Sequence, residues 1–212
     1  TLEPHSNIMF IGSCFAEHVG VQIQQRMGET NCDVNPFGVL YNPVSIAQGI
    51  DMLINFSIYR QRITENIFLG QDNIHHSWLH TSHFSDTDKE KCLEKILHRM
   101  EQAHNRLLSA DVLCVTFGTT RYYELKEPPH TIVANCHKEP QKIFIEKEPT
   151  LEELLALWQQ TLDSLYRANP KLTVCFTVSP YRYRKYGFHE SQIQKSKLLI
   201  LADTLCKTYK QT

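Results

Sequence analysis

The residues that could do chemistry begin at Ser13. It follows the continuous apolar run Asn7-Ile8-Met9-Phe10-Ile11-Gly12 and precedes Phe15, Val19, Ile23 and Met27, which recur every four residues. The run suits a strand buried on both faces and the stripe suits a helix, so Ser13 stands where a strand turns into a helix N-terminus. Free N–H groups and a partial positive charge gather there, and both stabilise a nucleophilic oxygen and the oxyanion it creates. Gly12 lets the chain turn tightly and is expected to keep the hydroxyl open to a cleft. A serine at such a junction also commonly caps its helix and does no chemistry. Cys14 shares the helix start, where a thiol pKa falls. Neighbouring side chains on a helix diverge, so Ser13 is the better nucleophile and Cys14 is expected to pack.

A nucleophilic serine needs a base, most often a His oriented by a carboxylate. His189 follows the third apolar run, and His137 follows a short strand candidate, so either could face the same cleft. His75, His76, His80 and His83 form the densest polar cluster. A helix would align His76, His80 and His83, and imidazoles on one face can hold zinc. The zinc-protease Glu is missing and the stretch reads as a loop, so the expectation is a substrate-facing lid without metal. Tyr181-Arg182-Tyr183-Arg184-Lys185-Tyr186 interleaves basic and aromatic residues, the style of a nucleic-acid or carbohydrate surface. One short run in a near-neutral chain reads as a solvated loop or as an edge for an anionic or sugar substrate.

These residues need a scaffold to bring them together. Besides the first run, 111–117 closed by Gly118 and 172–178 ended by Ser179-Pro180 read as buried strands. Helices are expected after Ser13, after the Asn42-Pro43 cap, over 86–109, after the Thr150/Glu153 capping box until Asn169-Pro170, and over about 191–210. In the last of these, Ile193, Leu198, Leu201 and Leu205 should face inward. Residues 132–134 and 142–145 are shorter strand candidates, and 58–85 show no clear period and read as a long loop or lid. Buried strands alternating with long helices make an α/β fold with a parallel sheet covered on both faces, in one domain over 1–212. In such sheets ligands meet the loops at the carboxyl ends of the strands: Gly12-Ser13, Gly118-Thr119-Thr120 and Ser179-Pro180.

Composition narrows the classes. In 212 residues, apolar types make up 42% and the formal net charge is −1, which fits a cored, folded chain and gives no clustered basic grip for nucleic acid. No apolar run approaches the ~20 residues that span a bilayer. The start Thr1-Leu2-Glu3-Pro4-His5 lacks the pattern of a signal peptide. The 7 cysteines are scattered, with no Cys-x-x-Cys unit, and read as small apolar residues of a reducing, cytoplasmic setting.

Four stretches carry a family resemblance: Gly12-Ser13-Cys14-Phe15-Ala16, then Asn35-Pro36-Phe37-Gly38-Val39-Leu40-Tyr41-Asn42-Pro43, then Asn135-Cys136-His137-Lys138, then Ser179-Pro180 through Lys195. In this order, over nearly the whole chain, they resemble the GSCFA-domain family, related to the SGNH (GDSL-like) hydrolases. The resemblance implies a flavodoxin-like, three-layer α/β/α fold and hydrolysis of an acyl ester, with no cofactor and with a small-molecule or carbohydrate ester as substrate. Ser13 matches the nucleophile. Gly38 is the counterpart of the glycine whose N–H joins the oxyanion hole, and Thr120 stands where the SGNH pattern has Asn, leaving Asn135 as an alternative amide donor. Asn35, His137, Lys138 and Lys195 fall within these words, and His80 and His83 in a separate segment that also resembles the family, as substrate-binding candidates, with Lys195 suited to an anionic group. The resemblance also implies an Asp-x-x-His block after the last strand. Here Asp72-Asn73-Ile74-His75 comes too early, so the expectation is a member truncated at its C-terminus, its base beyond residue 212, with His189 the substitute if the chain is complete. The rival readings are a catalytically inactive ligand-binding module on the same fold, an acyltransferase, and a metal-dependent protein using the histidine lid.

Overall fold

In the computed structural model the first apolar run is β1 (Ile8–Gly12), buried along its whole length. Residues 6–28 and 31–212 are described. Thr1–His5, read above for a targeting signal, lie outside the described residues. β1 is flanked by β2 (Cys32–Val34) and β5 (Val112–Phe117), and β5 by β9 (Thr173–Val178). The four run parallel in the order β2-β1-β5-β9. Parallel strands need crossovers, and the helices provide them: α1 (Cys14–Met27), α2 (Pro43–Ile54), α4 (Lys89–Ser109), α5 (Leu151–Ala168) and α6 (Gly187–Thr208).

The alternation of strand side chains sorts the core into two layers. Ile8, Phe10 and half-buried Val112 and Cys114 point to α1, where Ala16 is buried and Val19, Ile23 and Met27 are half-buried. Met9, Ile11, Leu113, Val115, Phe117 and Val174 point the other way, to α2, α4, α5 and α6. Trp158 of α5 is fully buried there, edge-on to Phe117 at 5.0 Å and to Phe176 at 5.3 Å. The fold is therefore the expected three-layer α/β/α sandwich around a parallel sheet.

Several elements differ from the sequence expectation. α3 (Phe56–Glu65) occupies part of the stretch read as a loop, with Ile63 buried and Phe56 and Tyr59 packed beside it. The remainder of that stretch is a hairpin of β3 (Ile67–Leu69) and β4 (His75–Ser77), then a 3-10 turn over Ser82–Phe84. β6 (Tyr122–Leu125) was not anticipated. It takes β7 (Ile132–Val133) and β8 (Phe144–Lys147), both expected, into a small antiparallel sheet. In α6, Leu198, Leu201 and Leu205 are buried as expected, but Ile193 is exposed and Ser191 and Gln194 take the inward positions. Gln194 is buried because it accepts a hydrogen bond from Thr119 Oγ1 at 3.0 Å.

Candidate active site

The strand-to-helix turn is built by one glycine. Gly12 has φ +152°, and a Cβ there would lie 2.4 Å from Thr116 O, so only glycine lets β1 turn while held against β5. Its N–H donates to Asn35 Oδ1 at 2.9 Å, and its carbonyl accepts from Leu40 N–H at 2.9 Å. The second loop is thereby tied to the same strand end. Ser13 follows as the N-cap of α1, with extended backbone and no side-chain capping bond. Its Oγ is buried and has no hydrogen-bond partner. The third loop closes against it: a Cβ on Gly118 would lie 3.4 Å from Ser13 Cβ, and the N–H groups of Gly118 and Thr119 both donate to Tyr41 O, at 2.7 and 2.9 Å.

The expectation of an open cleft is corrected here, since Ser13 is only 1% exposed. The Tyr41 ring lies against Gly118, in turn against Ser13, and the Tyr183 ring packs edge-on to Tyr41 at 6.4 Å and to Tyr181 at 5.1 Å. These tyrosines roof the strand ends because the loops after β2 and β9 converge there and bury apolar ring surface against each other. Burial holds the phenols of Tyr41 and Tyr183 above their ordinary pKa. A groove of about 840 Å³, lined by Cys32, Asp33, Arg99 and Arg106, opens at the opposite end of the strands and does not include Ser13.

Three of the expected oxyanion donors, on Ser13, Gly38 and Thr120, are engaged. Ser13 N–H donates to Thr116 O at 3.2 Å, and Gly38 N–H closes a turn on Asn35 O at 2.8 Å. Gly38 is required for another reason: at φ +77° its missing side chain leaves room for Thr81, whose Oγ1 would be 1.9 Å from a Cβ. Thr120 donates its hydroxyl to Glu148 Oε1 at 3.0 Å. Asn135 accepts from His137 N–H at 2.7 Å in a local turn after β7. A buried donor without a partner belongs to a residue expected only to bind substrate. Asn35, at φ +44° where Asn is tolerated, holds Gly12 N–H through Oδ1 while its buried Nδ2 has no partner. The signal that could have found it is an Asn next to the Pro36 that ends β2's extension, one loop from the serine.

The histidines do not gather at Ser13, whose Oγ has no partner. His189 is exposed in the first turn of α6. His137 is buried with both ring nitrogens engaged, Nε2 with Ser77 O at 2.9 Å and Nδ1 with Ser82 Oγ at 3.0 Å. Burial lowers its pKa, and its ring lies 4.5 Å from that of His76, so it clamps the β7–β8 connection onto the hairpin. Lys138 beside it is exposed. The helical alignment of the histidine cluster is not adopted: His76 is on β4, His80 in the following turn and exposed His83 in the 3-10 turn. Among the described residues no three His, Cys, Asp or Glu side chains group as metal ligands. His80 is fully buried, stacked on Phe37 at 5.4 Å, with Nδ1 bonded to Ser77 Oγ at 2.9 Å and Nε2 without a partner. Burial, with His137 nearby, drops its pKa from 6.5 to about 3, so the ring is neutral.

Charge is organised around two glutamates of β8 and its exit. Arg121 meets Glu148 at 3.0 Å, Glu190 at 3.3 Å and Glu146 at 3.6 Å. Lys197 pairs with Glu148 and Lys185 with Glu146, each at 2.9 Å. Lys195 is different: its Nζ donates to Gly118 O at 2.5 Å and no carboxylate among the described residues pairs with it. Comparison with curated proteins and with solved structures found no match. The model of the GSCFA family matches residues 7–212, nearly the whole chain, and the chain belongs to the GSCFA family.

Proposed function

We propose that this GSCFA-family chain is an acyl-ester hydrolase of the SGNH type, with Ser13 as its nucleophile and an O-acylated carbohydrate or small ester as substrate. The observation that carries the reading is the Ser13 hydroxyl: buried at the N-terminus of α1, neither capping its helix nor bonded to anything. An unsatisfied buried hydroxyl costs about 1–3 kcal/mol, and such groups persist in folded proteins mainly where they serve a function. In the reaction Ser13 Oγ bonds to the acyl carbon, the ester C–O bond breaks, and the alcohol leaves with a proton. Water then attacks the acyl-serine and releases the acid; an acceptor alcohol in place of water makes the same site an acyltransferase. The α1 N-terminus and Asn35 Nδ2 stabilise the oxyanion once the tyrosine roof moves aside. The unpaired cysteines support a reducing, cytoplasmic setting.

A second reading has its own support. The closed roof and the engaged N–H groups of Ser13 and Gly38 favour a ligand-binding module without turnover. A fluorophosphonate probe decides between them. Labelling of the wild type at Ser13, absent in Ser13→Ala, supports the hydrolase. No labelling, with a folded protein, leaves the binding module.

A further inference from the structure

The cations near the strand ends fall into two groups. Arg121, Lys185 and Lys197 are neutralised by Glu146, Glu148 and Glu190. Arg182, Arg184 and Lys195 form no salt bridge to any described carboxylate. Arg182 donates only to the neutral Gln192 at 3.3 Å and stands over the Phe188 ring at 4.9 Å. Arg182 and Arg184, with Tyr183 and Ser191, line a cleft of about 290 Å³ between the loop after β9 and the first turns of α6. Lys195 lies one turn beyond Ser191 on the same helix, and its contact, Gly118 O, belongs to the residue packed on Ser13. Burial and the like charge of Arg182 lower its pKa to about 8. Like charges gathered without a counterion repel, and an oxyanion placed among them relieves that repulsion.

We infer that this cleft binds an anionic group, a carboxylate or a phosphate, on the ligand of the Ser13 site, held by Arg182 and Arg184, with Lys195, outside the cleft lining, adding positive charge from one turn further along α6. The link to Ser13 rests on the hydrolase reading, whereas the anion site itself does not. Its roof-side wall is Tyr183, the ring that packs on Tyr41, so an anion seated there touches the cover of the serine.

The test has two arms on the 212-residue chain. In the first, inorganic phosphate and acetate are titrated separately and followed by amide chemical shifts. Saturable shifts concentrated in residues 182–195 are expected, and the tighter of the two names the anion class. Exposed Arg182→Gln should weaken binding roughly two- to fivefold, and Lys195→Met, which removes a charge outside the cleft lining, roughly twofold. Shifts that are scattered, or affinities unchanged in both variants, overturn the inference; because Arg182 is exposed, its variant stays informative if Lys195→Met fails to fold. In the second arm, kcat/KM for 4-nitrophenyl hemisuccinate is compared with that for 4-nitrophenyl acetate. A preference for the carboxylate-bearing ester that Arg182→Gln reduces supports the link to Ser13, and equal rates for both esters overturn it. Anion binding without fluorophosphonate labelling upholds the site and removes the hydrolase reading; labelling without anion binding does the reverse.

Discussion

Replacing Ser13 by Ala should make the protein more stable while removing its reactivity. Elsewhere the loss of an N-cap serine costs about 0.5–2 kcal/mol, because a helix N–H loses its acceptor. Here that bond is not made, so that cost is absent. What the substitution removes is a buried oxygen without a partner, whose desolvation costs about 1–3 kcal/mol. Ala keeps the Cβ that Gly118 packs against, so little cavity is left. The balance is a gain of about 1–2 kcal/mol, and in a chain of this size that raises Tm by about 2–8 °C. Urea unfolding should give a higher midpoint at unchanged m-value, and the same preparations should show no fluorophosphonate labelling. A loss of 0.5 kcal/mol or more would show that the hydroxyl is bonded in solution, and the argument for a poised nucleophile would fail with it.

Three further outcomes follow from the same geometry. Gly12→Ala places a methyl group 2.4 Å from Thr116 O in a backbone conformation restricted to glycine; strain and overpacking together should cost about 2–5 kcal/mol by urea unfolding, and a cost under about 0.5 kcal/mol would contradict the turn as described. Asn35→Ala leaves Gly12 N–H without its acceptor and should lose about 1–3 kcal/mol; if Nδ2 serves the oxyanion, labelling per folded molecule should also slow about 100-fold, and an unchanged rate removes that role. His80 has a folded pKa of about 3 against 6.5, so the unfolded chain binds the extra proton between those values. Its contribution is complete above about pH 6.5 and is lost as pH falls toward 3, at up to about 1.4 kcal/mol per unit. His80→Phe should flatten that dependence, and an identical slope in the variant would show that His80 is not the group responsible.

The frame of the site was legible because β1 is buried on both faces and α2, α4 and α5 carry side-chain caps, whereas β9, expected to be buried, is an edge strand with Thr173 and Cys175 exposed. β1, β5 and β9 announce themselves as largely apolar runs, and the Thr150/Glu153 capping box forms as the spacing predicts. β2 escaped notice because it has three residues, one of them Asp33, whose carboxylate pairs with Arg99 of α4 across the sheet edge. α3 was readable in principle from Phe56, Tyr59 and Ile63 at helical spacing, but few apolar residues support it. Ser13 lies where the strand-to-helix pattern puts it, and the loops holding Gly38 and Gly118 do converge on it. Which polar atoms remain unbonded was not legible. Thr120 looks like a free donor until Glu148 arrives from 28 residues away, and the Asn135 side chain is held by its own turn through its oxygen. Hydrogen-bond occupancy depends on partners distant in sequence, and type and spacing alone do not specify it.

Gly12 pairs with Thr116 in the ladder between β1 and β5, and that pairing, more than any loop, gives the serine its address. The tyrosines and the charged rim can be rebuilt to suit another molecule without relocating the hydroxyl. To displace it the two strands would have to slip by a residue, about 3.3 Å, which would swing every β1 side chain to the opposite face and empty the core on both sides.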